Sequence, residues 1–233
     1  MDKNRLKELQ KLKMNKYRDK HFLVETEHLV EEALKYTKVI EIFSTYPKDN
    51  QTLITESEMK KLTSTVSNVK TIALVEKKQA ITKSQLVLAL ADVQDPGNVG
   101  SLIRSAIGFG FKQVLLSPGC ADLYNSKTIR ASQGAIFQAG TKVSDLKKEI
   151  ADYKNQGYRI IGTALKDGRP LKSYEQNNEK IFLLLGNEGS GLPEDIIALC
   201  DDLLFIEMTG IESLNVLAAG SILMYQLKGS SMG

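Results

Sequence analysis

The apolar positions of the chain fall into two regimes. Up to residue 76 they come as short runs separated by stretches of helical period. Phe22-Leu23-Val24, Val39-Ile40-Glu41-Ile42-Phe43 and Val69 to Val75 read as strands, and Leu29, Val30, Ala33 and Leu34 line one face of a helix. Leu6, Leu9 and Leu12, three apart, give the buried stripe of an N-terminal helix. Thr55-Glu56-Ser57-Glu58 is a capping box that opens a short helix carrying Met59 and Leu62. A polar stretch without apolar periodicity follows, and it places a linker at 77–85 between a domain 1–76 and a domain 86–233.

The second regime opens with Leu86 to Ala91, a continuous apolar run that suits a strand buried on both faces of a parallel sheet. Val114–Ser117, Arg159–Thr163, Ile181–Leu185 and Leu203–Ile206 read as further strands. Helical stretches lie between them near 98–109, 126–137, 145–155, 193–200 and 213–227. Such alternation predicts an α/β fold with a parallel sheet and right-handed crossovers. Ligands of such sheets bind in the loops beyond the carboxyl ends of the strands.

Composition narrows the class. With 42% hydrophobic and 25% charged residues the chain is ordinary globular protein. No apolar run approaches the ~20 residues of a membrane span, and the polar start Met1-Asp2-Lys3-Asn4 predicts no secretory signal, so a cytoplasmic protein is expected. Two cysteines and two histidines make a metal site hard to build. The net charge of +3 is unevenly spread: residues 1–85 carry 17 Lys and Arg against 12 Asp and Glu, and the remainder is slightly acidic. Arg5, Lys13, Lys16 and Arg18 belong to a basic arm that can meet a phosphate backbone or simply form a solvated helix face.

Three strand exits carry candidate chemistry. The first strand leaves through Asp92-Val93-Gln94-Asp95-Pro96-Gly97-Asn98-Val99-Gly100, with Asn98 a candidate N-cap and Arg104 further along the helix. An arginine so near a ligand edge can bind phosphate bidentately or pair with a neighbouring acid. The fourth leaves through Gly186-Asn187-Glu188-Gly189-Ser190-Gly191-Leu192, whose glycines let the backbone approach a ligand but which lacks the lysine of a phosphate loop. The last leaves through Ile206-Glu207-Met208-Thr209-Gly210-Ile211-Glu212-Ser213-Leu214-Asn215-Val216, where Ser213 is placed to cap the final helix.

Taken together, Asn98-Val99-Gly100 with Arg104, Leu185 through Leu192, and Gly210 through Val216 resemble the SpoU family of RNA ribose methyltransferases of the SPOUT superfamily over about residues 86–227. Tyr17-Arg18, Phe22-Leu23-Val24-Glu25 and Leu29 through Leu34 are similar, less specifically, to that family's N-terminal RNA-binding domain. The resemblance implies a C-terminal trefoil knot, a preceding small α/β sandwich like a ribosomal-protein L30e-like fold, and a homodimer. It further implies methyl transfer from S-adenosylmethionine to a ribose 2′-hydroxyl of rRNA or tRNA, without a metal. It assigns catalysis to Arg104, Asn98, Glu188, Ser213 and Asn215, and the cofactor to Thr163, Ala164, Leu165, Gly186, Asn187, Gly189, Ile206, Met208 and Leu214. Because guanidinium groups stay protonated near neutrality, Arg104 is expected to pair with phosphate and stabilise the developing alkoxide. Arg130 is a second candidate RNA contact, and Leu217, Leu223, Met224 and Tyr225 of the final helix are candidates for the dimer interface or for the protein's own core.

Two positions depart from the family pattern. Glu207 replaces a usual proline beside the cofactor loops, and Thr26 stands where glycine is usual. Glu207 motivates a rival reading, a non-enzymatic RNA-binding protein with a decayed pocket. A SPOUT enzyme that methylates a base nitrogen is the second rival, disfavoured by Ser213-Leu214-Asn215-Val216.

Overall fold

The computed structural model describes residues 1–228 except 65–67, 79–82, 165–167, 176, 178 and 212. Two sheets organise the chain. In the first, β1 (His21–Glu25), β4 (Thr71–Glu76), β2 (Val39–Ser44) and β3 (Thr52–Leu53) lie side by side in that order, β4 antiparallel to both neighbours. Because strand side chains alternate, β1 sends Leu23 to one face and Phe22 and Val24 to the other. Leu23 packs with Leu9 of α1 (Lys3–Lys11) and Met59 and Leu62 of α3 (Glu56–Leu62), which begins with the expected capping box at Thr55. Phe22 and Val24 pack under Leu29, Val30 and Ala33 of α2 (Glu27–Tyr36), in a core continuous with that of the second sheet.

The second sheet runs β7-β6-β5-β10-β8-β11-β9, every pairing parallel. Its strands are β5 (Leu86–Leu90), β6 (Gln113–Leu116), β7 (Gly140–Val143), β8 (Tyr158–Thr163), β9 (Arg169–Pro170), β10 (Lys180–Leu185) and β11 (Asp202–Phe205). The helices are α4 (Pro96–Gly108), α5 (Ser126–Ser132), α6 (Ala135–Gln138), α7 (Leu146–Asn155), α8 (Glu194–Ile197) and α9 (Val216–Leu227). All five residues of β5 are buried, as its unbroken apolar run requires. From β5 the chain winds outward through β6 to β7, then returns to the far side, so β10 lies between β5 and β8. The crevice between the exits of β5 and β10 is thus the topological switch point, where open α/β sheets bind ligands.

Local structure corrects several expectations. The helix expected over 126–137 is two helices, broken where Gln133 and Gly134 both adopt left-handed backbone (φ 49° and 89°). The helix expected at 193–200 is limited to α8. The edge strand β7 went unread because Gly140-Thr141-Lys142-Val143 has no apolar run. Of the expected linker, 79–82 lie outside the described residues; Lys77 N–H donates to the Lys20 carbonyl at 2.8 Å.

Among the described residues, two ion pairs cross between the two sheets' units. Arg18, 5% exposed, pairs with Asp122 at 2.8 Å, and Arg130 faces the buried Glu25 at 3.7 Å. Phe22 lies against the ring of Tyr124, with centroids 4.5 Å apart.

Candidate active site

At the exit of β5 the Asp-Pro dipeptide decides where the helix starts. Asp95 Oδ1 accepts the Asn98 N–H at 2.9 Å, and Pro96 occupies the first turn, where a missing N–H costs nothing. Asn98 is therefore not the cap. Its side chain is free, and Nδ2 donates to Glu188 Oε1 at 2.9 Å. The Lys127 ammonium, 2.7 Å from Asp95, holds that cap's carboxyl below the usual range. A Cβ at Gly100 would stand 2.2 Å from the Thr128 carbonyl, so glycine there lets α4 seat directly on α5. With Leu102, Ile103 and Ala106 buried, Arg104 is turned to the surface, and among the described residues no carboxylate pairs with it.

The exit of β10 is a tight, self-bonded turn. Asn187 and Gly191 exchange backbone hydrogen bonds of 3.0 and 2.9 Å. A Cβ on the buried Gly186 would come within 2.2 Å of the Gly191 carbonyl carbon. The Asn187 side chain is fully engaged: Nδ2 donates to the Asp92 carbonyl at 2.8 Å, and Oδ1 accepts Gly189 N–H at 2.8 Å and Ser190 N–H at 3.3 Å. Asp92 itself has left-handed backbone (φ 57°), and Ser117 Oγ from the β6 exit donates to its carboxylate at 2.5 Å. This clamp binds three strand exits together and presents Glu188, exposed, to Asn98. No sequence signal marked Asp92, whose part depends on backbone conformation; Asp95 was legible in the Asp-Pro pair.

At the exit of β11, Ile206, Met208 and Leu214 are half-buried, whereas Glu207 points away to pair with Lys172 at 2.7 Å. Asn215, not Ser213, caps α9, its Oδ1 accepting the Leu217 N–H at 2.9 Å. Ser213 is exposed one residue beyond Glu212, which lies outside the described residues together with Leu165. A Cβ at Gly220 would press on Leu185 and Leu102, and Ser221 Oγ lies 2.9 Å from Ser105 Oγ, beside Arg104. The start of α9 is in this way tied to the helix of Arg104 and the end of β10. Thr163 and Ala164 leave β8, next to β10 in the sheet, with the Ala164 N–H on the Leu204 carbonyl at 3.3 Å. The structure thus joins Asn98 and Glu188 directly and packs α9, which Asn215 caps, against α4, which bears Arg104; among the described residues no hydrogen bond links Arg104, Ser213 or Asn215 to that pair.

The sequence profile described as the SpoU rRNA Methylase family matches residues 85–225, which include all three exits. The chain belongs to that family. This SpoU methylase is 35% identical, over 97% of its own length and 96% of the other's, to the 23S rRNA (guanosine(2553)-2'-O)-methyltransferase RlmP of Bacillus subtilis (strain 168). A solved structure from Porphyromonas gingivalis, described as that of a candidate RNA methyltransferase of the TrmH family, is 30% identical, with TM-score 0.86 over 97% of this chain and 98% of that one. An AdoMet-bound rRNA methyltransferase from Sinorhizobium meliloti, 23% identical, shares the fold with TM-score 0.89 over 99% and 96% of the two chains.

The basic residues of this SpoU methylase are distributed differently from the arm read in the sequence. Arg5 pairs with Glu41 at 2.9 Å, Lys13 donates to the carbonyls of Lys61 and Thr63, and Arg18 is buried against Asp122. Lys16 is exposed over the Tyr17 ring, 5.0 Å from its centroid. Leu223 and Met224 of α9 belong to the protein's own core, while Tyr225 of the same helix is 60% exposed. Among the described residues no three His, Cys, Asp or Glu side chains gather to hold a metal, and no helix is long and apolar enough to cross a membrane.

Proposed function

We propose that this SpoU methylase transfers a methyl group from S-adenosylmethionine to a ribose 2′-hydroxyl of RNA, with ribosomal RNA of the 23S type as substrate. The observation that carries the reading is the Asn98–Glu188 hydrogen bond across the switch point, on the helix that also bears Arg104. The choice of ribosomal RNA rests on the near full-length similarity to RlmP.

The loops fit the cofactor. Gly186 folds its turn so tightly that no side chain fits there, leaving backbone groups as the lining, and half-buried Ile206, Met208 and Leu214 offer the apolar walls that a purine and a thioether require. Thr163, Ala164, Gly189 and Asn187 complete the set, Asn187 as the brace of the turn. S-adenosylmethionine, when bound, supplies a methyl group with a sulfonium leaving group.

Displacement at carbon needs the attacking hydroxyl oriented and its growing negative charge stabilised. Arg104, cationic and free of carboxylates among the described residues, pairs with the substrate phosphate and steadies the developing alkoxide. Glu188, held by Asn98, accepts hydrogen bonds from the nucleotide's hydroxyls. Ser213 and the amide nitrogen of Asn215, which has no hydrogen-bond partner among the described residues, hold the target nucleotide at the start of α9. Pairing Glu207 with Lys172 turns the departing charge outward, in keeping with a working site.

In this reading residues 1–76 bind RNA and 86–233 carry out methyl transfer. On the same reading, the return of the chain from β11 to α9, packed on α4, would thread a trefoil knot, and the first sheet with its helices would correspond to the L30e-like sandwich. The enzyme acts in the cytoplasm as a homodimer, in which exposed Ile222 and Tyr225 of α9 meet a second copy. Incubating the protein with labelled cofactor and ribosomal RNA, then locating the methyl group on the digested nucleosides, tests the reading. Methyl on a 2′-oxygen supports it; methyl on a base nitrogen refutes it.

A further inference from the structure

A groove of about 450 Å³ lies on the first unit, lined by Lys35, Tyr36 and Lys38 at the end of α2 and by Glu76, Lys77 and Lys78 at the exit of β4. Four lysines line it against a single lining carboxylate. Lys78 is exposed and among the described residues has no ion-pair partner. Lys38 pairs with Glu76 at 2.9 Å and Lys35 with Glu32 at 2.6 Å, both lysines well exposed. Exposed pairs of this kind contribute little and give way to a polyanion that brings several phosphates at once. Between the lysines Tyr36 leaves 43% of its surface open, an aromatic face with no partner ring among the described residues. An open aromatic flanked by cations is the arrangement on which an unstacked base rests while its phosphates are neutralised. A groove of this size takes a splayed nucleotide rather than a duplex.

The groove also reaches the seam between the units. Lys77 Nζ stands 4.7 Å from the centroid of Tyr124, in the loop that leads into α5, and α5 packs on α4, the helix of Arg104. In the arm expected to bind RNA, by contrast, Arg18 is buried against Asp122.

We propose that this groove holds an unpaired segment of the RNA substrate, with Lys38 and Lys78 on phosphates and Tyr36 stacked on a base. The inference rests on RNA being the substrate of the neighbouring site.

The test uses the full chain and three variants, Lys38→Ala with Lys78→Ala, Tyr36→Ala, and Tyr36→Phe, with thermal unfolding to verify that each folds. The probes are a short oligouridine, the same strand in a duplex, and a poly-aspartate peptide. The double lysine variant is expected to bind the oligouridine about tenfold more weakly and to flatten the dependence of log affinity on log salt by about 1.4. Tyr36→Ala is expected to weaken binding about tenfold, with Tyr36→Phe restoring it. The KM for RNA in methylation rises for both alanine variants. Unchanged oligouridine affinity and salt slope overturn the proposal, as does equal or tighter binding of the duplex or the poly-aspartate peptide. The two readings fail separately: a wild-type protein that methylates no RNA, with variants that still show these binding losses, leaves the groove standing, whereas normal methylation with binding unaltered in the variants removes the groove alone.

Discussion

Asn98 Nδ2 lies 2.9 Å from Glu188 Oε1, a contact between residues 90 apart in sequence. It closes the crevice between β5 and β10 and fixes the only carboxylate that the β10 turn presents at this edge. If the pair acts as a unit, its losses are not additive. Asn98→Ala and Glu188→Ala are each expected to lower turnover by about 10²-fold, and the double variant little further. Because both side chains sit near the surface, stability changes by no more than about 0.5 kcal/mol. Single-turnover rates beside chemical denaturation measure both effects; additive losses in rate contradict the coupling.

Arg104→Ala is expected to reduce methyl transfer by about 10³-fold or more while calorimetric affinity for S-adenosylmethionine is retained. Arg104→Lys keeps the charge but loses the planar fork, so it recovers only a minor part of the rate. Near-normal turnover in Arg104→Ala removes Arg104 from the reaction, and near-normal turnover in Arg104→Lys removes the need for the fork.

Gly186→Ala places a methyl group 2.2 Å from the Gly191 carbonyl carbon, and backbone cannot swing aside as a side chain can. The turn has to open, at a cost of about 1–3 kcal/mol, and cofactor affinity measured by calorimetry is expected to fall by at least about tenfold. An unaltered affinity shows that the turn does not line the cofactor.

Thr26 adopts φ 82° and ψ 144°, a region in which only glycine is at ease. Its hydroxyl makes no cap bond to α2 that would offset the strain. Thr26→Gly relieves about 1–3 kcal/mol of strain and loses about 0.5–1 kcal/mol to the freer unfolded chain. A net gain of about 1 kcal/mol in urea unfolding is expected, and a loss would show that threonine's side chain stabilises this entry to the helix.

Arg18→Met leaves the Asp122 carboxylate without its cation at the seam, at a cost of about 3 kcal/mol. Pairing it with Asp122→Leu recovers most of that loss, since two apolar side chains replace a desolvated pair. Urea unfolding of both variants measures this. A single variant of wild-type stability contradicts the ion pair's place in holding the units together.

What was legible in the sequence followed how far each feature depends on local chemistry. The apolar run of β5, the capping box at Thr55 and the spacing of Leu29, Val30 and Ala33 on α2 are properties of neighbouring residues, and the structure bears them out, whereas Leu34, expected on the same face of α2, is 55% exposed. Helix starts were misplaced where two polar residues competed: Asp95 displaced Asn98 and Asn215 displaced Ser213. In each case the true cap freed or fixed a side chain assigned to the site. The break at Gln133 and the clamp at Asp92 rest on left-handed backbone at non-glycine residues, which tertiary contacts impose and composition does not reveal. The burial of Arg18 within the basic arm was not legible for a related reason. Charge along a chain says nothing of which carboxylate it will meet, and Asp122 lies 104 residues from Arg18.

The most direct test of the account is the position of the methyl group on ribosomal RNA treated with the wild-type protein and S-adenosylmethionine. Nuclease digestion followed by mass spectrometry of the nucleosides is predicted to find a 2′-O-methylated ribose, absent with Arg104→Ala. A methyl group on a base nitrogen, or equal ribose methylation by Arg104→Ala, contradicts it.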